Sequence, residues 1–237
     1  MITRELFDKW ESKYPDKCFV YDGIVNWEEW RQQKLKICFL LKEAYTEDEK
    51  NYFRWSLSEW LNDEIDSVIN TWDIVPLWTY GIFNTTETSI ASYPGGDALD
   101  KNTKHNLLKR IAAVNVKKAG GSKNSDWYDL VKYAVDDKEF LKEQLETINP
   151  DVILCGSTYD FLRVVYGATY DAERKRIKDD GEIPNDFTDK GFFIMNDKTI
   201  VIKYYHPQNH FPAKVNYYAV CAIYQQALKE LNSCTQQ

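Results

Sequence analysis

The sequence predicts an α/β fold on a mostly parallel central sheet, and three observations carry that prediction. Short unbroken apolar runs recur in KICFLLKEAY, IAAVNV and NPDVILCGS, and GFFIMNDKTIVIKYYHP adds a fourth. Such runs are too short for helices and lack polar alternation, which suits strands buried on both faces. Amphipathic stretches such as SDWYDLVKYAV and KEFLKEQLETI lie between them. Strands alternating with helices give a three-layer α/β/α sandwich.

Taken in order, residues 1 to 35 read as a helical extension with Trp10, Trp27 and Trp30 as anchors onto a core. Ile37 to Leu41 form the first core strand. Thr46 and Glu49 have capping-box spacing and open a helix through roughly Ile69. Ile111 to Val116 form the second strand, two amphipathic helices follow, and the third strand ends in Gly156-Ser157. Ser157 is placed to cap the helix of STYDFLRVVYG. Residues 167 to 190 are polar and charged, a surface insertion. GFFIMNDKTIVIKYYHP reads as a hairpin turning near Asn196-Asp197, its second strand ending just before His206. Pro212 suits the first turn of a last helix running to about Leu231. With no repeat and no linker, residues 1 to 237 read as one domain.

Bulk properties narrow the function classes. A chain of 237 residues, 43% hydrophobic and 15% aromatic, is long enough to bury a core without cross-links. Five scattered cysteines do not form a disulfide framework, and no CxxC motif points to zinc or an iron–sulfur centre. No apolar run reaches the ~20 residues of a membrane span, and the N-terminus lacks a signal-peptide core. The expectation is a cytoplasmic protein with no membrane partner, no metal and no cofactor. Net charge is −7, but KNTKHNLLKRIAAVNVKKAGGSK (101 to 123) carries seven Lys/Arg and no acid. An acidic protein with one local basic face still holds an anionic ligand; the alternative is a solvated loop and helix face.

The strands end in polar residues: Lys42-Glu43, Asn115, Gly156-Ser157 and His206. If the four strands are parallel, these residues line one crevice beyond their carboxyl ends, where open α/β sheets bind ligands. His206 and His210 are four apart, the spacing of a helical metal chelate, but Pro207 and Pro212 bracket them and disfavour that helix. Held by Pro207, the His206 imidazole can donate to an oxygen with developing charge, or it packs among Tyr204, Tyr205 and Phe211. Glu43 orients or deprotonates a water, or closes its strand facing solvent. Asn115 either reads a nucleobase edge or bonds to neighbouring backbone. Gly156-Ser157 accepts a phosphate at a helix N-terminus, or is an ordinary turn.

The order of these motifs resembles the uracil-DNA glycosylase superfamily. FLLKEAYTE is similar to that superfamily's first motif through Glu43-Ala44, IAAVNVKK supplies Asn115, INPDVILCGST resembles the third segment, and YYHPQ supplies His206-Pro207. The similarity spans about 37 to 228. It implies metal-free hydrolysis of an N-glycosidic bond to a base flipped out of DNA. Glu43 would position the water and His206 would stabilise the leaving base. Asn115 would read the base edge, with Tyr45 or Phe53 stacked on it. Ser157, Lys117, Lys118, Lys123, Lys214 and Gln208 would hold phosphates, and Phe211 would enter the duplex or else cap the final helix from below. Lys42, Tyr45 and Gln208 stand where the motifs have glycine, proline and serine. The expected partner is DNA or a nucleobase-containing ligand. Two alternatives remain: a non-catalytic nucleic-acid or nucleotide-binding module on the same fold, and a hydrolase of small N-glycosides such as nucleosides.

Overall fold

The computed structural model describes residues 4–45, 55–63, 71–95, 99–121, 124–185 and 190–234. The chain opens with α1 (Arg4–Glu11), β1 (Val20–Tyr21), β2 (Gly23–Ile24) and α2 (Trp27–Gln32). Next come β3 (Ile37–Tyr45), β4 (Trp55–Ser56), α3 (Leu57–Asp63), α4 (Thr71–Asn84), α5 (Lys101–Lys109) and β5 (Ala112–Gly121). Helices α6 (Trp127–Asp136) and α7 (Lys138–Ile148) lead to β6 (Val152–Gly156) and α8 (Tyr159–Val165). The chain closes with β7 (Tyr170–Asp171), β8 (Arg176–Ile177), β9 (Phe192–Met195), β10 (Thr199–Tyr204) and α9 (Ala213–Cys234).

Six strands form the central sheet in the order β2-β5-β3-β6-β10-β9. The four inner strands, β5, β3, β6 and β10, run parallel, and antiparallel β2 and β9 close the edges. After β3 the chain adds β5 on one side and then β6 on the other. That reversal is the topological switch point at which such sheets leave a crevice.

Side chains alternate across the sheet with the strand period of two. Ile37, Phe39, Leu41, Val152, Leu154, Ile200 and Ile202 face one core, closed by α3, α4, α5 and α9. Cys38, Leu40, Val114, Val116, Ile153, Cys155 and Val201 face the other, closed by α1, α6, α7 and α8. Each fully buried aliphatic or aromatic side chain contributes about 1.5–3 kcal/mol. Helices on both faces explain why the strands read as continuous apolar runs.

The tertiary structure departs from the sequence reading in several places. Strand β3 runs on to Tyr45 and β5 to Gly121, past the apolar runs, because Lys117 and Lys118 are charge-paired inside the fold and do not end the strand. The N-terminal extension is not wholly helical: residues 20–24 form two short strands, one pairing with β5. Trp10 and Trp30 are buried as expected, but Trp27 is 41% exposed. The expected capping box of Thr46 and Glu49 lies outside the described residues. The described part of that helix holds β4 and α3. Helix α4, apolar on most sides and holding Pro76, has no amphipathic stripe to announce it. Thr158 occupies the N-cap position of α8, not Ser157.

The hairpin turns at Asn196 and Asp197, both with positive φ (52° and 53°), as in a type I′ turn. Within the 167–190 insertion, β7 and β8 pair, Ile183 is fully buried, and the buried Arg163 donates to the Lys178 carbonyl and to Asn185 Oδ1. The described part of that segment is therefore packed against α8. No described helix is long and apolar enough to cross a membrane.

Candidate functional site

Because the four inner strands are parallel, their polar ends share one edge of the sheet. The β6–α8 turn ties the neighbouring strands together there. Thr158 Oγ1 donates to the Leu40 carbonyl of β3 at 2.6 Å, and the Ser157 N–H donates to the Tyr204 carbonyl of β10 at 2.8 Å. Ser157 has φ +59°, an unusual conformation for a residue with a side chain. Its Oγ accepts the backbone N–H of His206 at 2.9 Å. Gly156 is required by close approach: a Cβ there would lie 2.9 Å from Leu41 Cδ2 and 3.3 Å from Pro207 Cδ.

His206 is held from several directions. Its Nδ1 accepts the Gln208 N–H at 3.2 Å, which places the proton of the neutral ring on Nε2. Burial, with the charge of Lys42 adding, pulls its pKa down to about 4. The imidazole is thus a neutral donor at ordinary pH. The following loop is fixed to α9 through Asn216, which is 1% exposed. Asn216 Nδ2 donates to Asn209 Oδ1 at 2.8 Å, and its Oδ1 accepts the Tyr204 hydroxyl at 2.9 Å. Asn209 Nδ2 in turn donates to the His206 carbonyl at 2.9 Å. Sequence reasoning missed Asn209 and Asn216; the only available signal was two amides among prolines at the entry to a helix.

Glu43 belongs to an ion-paired group at the end of β3. Lys117 Nζ lies 2.9 Å from Glu43 Oε2 and 2.7 Å from Asp129 Oδ2, and 5.2 Å from the Tyr133 ring centre. Burial works against the Lys117 charge, but the hydrogen bonds and charges of Asp129 and Glu43 outweigh it, so its pKa is raised. The Glu43 side chain is 5% exposed. Glu43 lies on β3 and His206 just past the end of β10, with β6 between them, hence two strand spacings or roughly 10 Å apart across the edge. Tyr45 (58% exposed), Tyr205 (54%) and Phe211 (52%) offer aromatic rings to solvent, and the Tyr205 and Phe211 centroids are 5.2 Å apart.

Several expectations are corrected. Asn115 does not end its strand or reach a crevice. It is 2% exposed in mid-strand, and both its backbone N–H and its side-chain Nδ2 donate to Asp22 Oδ2, at 2.7 and 3.1 Å. Lys118 does not reach a phosphate, because its ammonium is fully buried against Asp22 and 4.9 Å from the Trp10 ring centre. Burial lowers its pKa while Asp22 opposes the shift. Gln144 Nε2 completes this internal cluster on Asp22 Oδ1 at 2.9 Å. A buried amide or charge binds the partner that neutralises it, and here that partner is an acid 93 or 96 residues away in sequence.

The basic stretch 101 to 123 therefore does not form one face. Lys104 bonds to Asp73 on α4, and His105 contacts the Asn62 carbonyl. Lys117 is committed to Glu43 and Asp129. Lys214 and Gln208 are exposed beside the His206 loop, as is His210. Phe53 and Lys123 lie outside the described residues. Among the described residues no group of three or more His, Cys, Asp or Glu side chains is placed to hold a metal. Comparison with family models, with curated proteins and with solved structures returns no match.

Proposed function

We propose that the edge formed by β3, β6 and β10 is the active site of a DNA glycosylase-like hydrolase, one that releases uracil or another damaged base. The observation that carries the reading is His206, a half-buried, rigidly held imidazole whose neutral ring offers Nε2–H. A neutral donor stabilises the negative charge that builds on a leaving base without surrendering its proton. Glu43 Oε2 is taken by Lys117, and Oε1, without a partner among the described residues, accepts a proton of the attacking water. Water adds at the anomeric carbon as the carbon–nitrogen bond breaks, and the base departs with the bonding pair. Tyr45, Tyr205 or Phe211 supplies a stacking surface for an unpaired base.

The test is base release from a uracil-containing single-stranded oligonucleotide, read as alkali-labile breaks. Wild type should cleave, and His206→Ala and Glu43→Gln should lose about 100-fold or more. Equal rates for all three proteins would reject these roles.

A second reading, hydrolysis of a free nucleoside, is favoured by the sequestration of Lys117 and Lys118, two cations expected on a DNA strand. Turnover of a nucleoside panel with no release from the oligonucleotide would select it. Salt-sensitive strand binding with no product from either substrate would instead select a non-catalytic module.

A further inference from the structure

A cavity lies at the opposite, amino-terminal edge of the sheet. Its volume is about 750 Å³, within the range of small-molecule sites, and Gln33, Lys34, Phe83, Lys109 and Arg110 are among its lining residues. The cavity is built where α2 and α5 end and where the chain enters β3 and β5. Glu43 lies six residues along β3 from Ile37, roughly 20 Å away, so the two sites are separate.

Arg110 is held in place before any ligand arrives. Its guanidinium stacks on Phe83, 4.6 Å from the ring centre, and its Nε and Nη2 both donate to Gln33 Oε1, at 2.9 and 2.7 Å. Gln33 is itself fixed by donating from Nε2 to the Glu29 carbonyl at 2.7 Å. A guanidinium carries five donors, of which these bonds use two. One face and one edge are therefore spent, and the Nη1 side of the fork remains, the geometry that receives an oxyanion through paired hydrogen bonds. Among the described residues neither Lys34 nor Lys109 has an ion-pair partner. The lining thus holds three cations against the single carboxylate of Glu29. In a protein of net charge −7 that is a local reversal of sign, and such a reversal attracts anions.

The geometry points to a binding site for a phosphorylated small molecule, with its phosphate on the Arg110 fork between Lys34 and Lys109 and its organic body in the remaining volume. This site is independent of the His206 edge and of the reaction proposed there. A preformed arginine fork favours a planar oxyanion contact over a diffuse one, and the volume exceeds what a bare phosphate fills.

The test is titration of the full chain with ribose 5-phosphate, followed by amide chemical shifts, with ribose and inorganic phosphate as controls. Ribose 5-phosphate should bind saturably, with shifts at Gln33, Lys34, Lys109 and Arg110, and ribose should not. Lys109→Gln, a charge change that leaves the Arg110–Gln33 bonds in place, and Arg110→Lys, which keeps the charge but removes the fork, should each weaken binding about tenfold. His206→Ala should leave it unchanged. The site is overturned by absence of saturable binding, by affinity indifferent to Lys109→Gln, or by shifts that cluster at His206. Affinity for inorganic phosphate equal to that for ribose 5-phosphate would overturn the assignment of an organic body.

Discussion

Gly121, at the end of β5, lies directly against the Glu43 side chain. A Cβ at that position would collide with Glu43 Cδ. The carboxylate that pairs with Lys117 therefore keeps its place because the neighbouring strand presents no side chain there.

Gly121→Ala should accordingly displace Glu43 and weaken its pair with Lys117. The expected loss is about 1–3 kcal/mol of stability, as for other overpacked sites, together with loss of base release. Urea unfolding of Gly121→Ala, Glu43→Ala and the double variant provides the check. The double variant should lose less than the sum of the singles, because removing the Glu43 carboxyl relieves the collision. Strict additivity would show that the contact is not the cause.

Asp22 and Lys118 form a fully buried ion pair with Asn115 and Gln144 around it. Removing one partner leaves an uncompensated charge, so Asp22→Ala or Lys118→Ala should cost about 3–5 kcal/mol. A Lys118→Met/Asp22→Ala pair should cost markedly less than the two single changes added together. Chemical denaturation measures this, and a mild effect of Asp22→Ala would argue against the buried charge.

His206 sets a pH dependence with a definite sign. Its folded pKa, about 4, lies below the ordinary histidine value of 6.5, so the unfolded chain binds the extra proton first as pH falls. The stability associated with the neutral ring is fully present above about 6.5, declines between about 6.5 and 4, and is lost below that. The span corresponds to at most about 3 kcal/mol. His206→Ala should remove this part of the pH dependence. Lys42→Ala should move the imidazole pKa upward, towards its ordinary value, in an NMR titration, because a repelling charge is gone.

Asn216 holds the His206 loop through Tyr204, Asn209 and the Phe211 carbonyl. Asn216→Ala leaves several polar groups without partners and should cost about 1–3 kcal/mol. Protease sensitivity or faster amide exchange across residues 206–212 should accompany it. Unchanged exchange in that loop would mean that other contacts hold it.

If a nucleic-acid strand crosses this edge, Lys214 is an exposed cation placed to meet it. Lys214→Gln should lower the slope of log affinity against log salt by about 0.7 for a single strand. An unchanged slope would remove Lys214 from the interface.

The local sequence determined the elements whose signals are local. Ile37 to Leu41, Val152 to Cys155 and Ile200 to Ile202 were legible as strands because burial on both faces demands unbroken apolar runs, and Asn196-Asp197 was legible as a turn because those residue types tolerate positive φ. The convergence of Glu43, Ser157 and His206 on one edge followed from parallel pairing, which the alternation of strands and helices implies. The tertiary structure alone decided the fate of the charges. Lys117 and Lys118 read as ligand-facing residues because their sequence neighbours include no acids, and Asn115 because an amide in an apolar strand demands a partner. Their partners, Glu43, Asp129 and Asp22, arrive from other elements, and a one-dimensional pattern carries no record of which distant carboxylate neutralises a buried cation. The Arg110 fork was hidden for the same reason, since Gln33 and Phe83 reach it only when α2, α4 and α5 pack at the foot of the sheet.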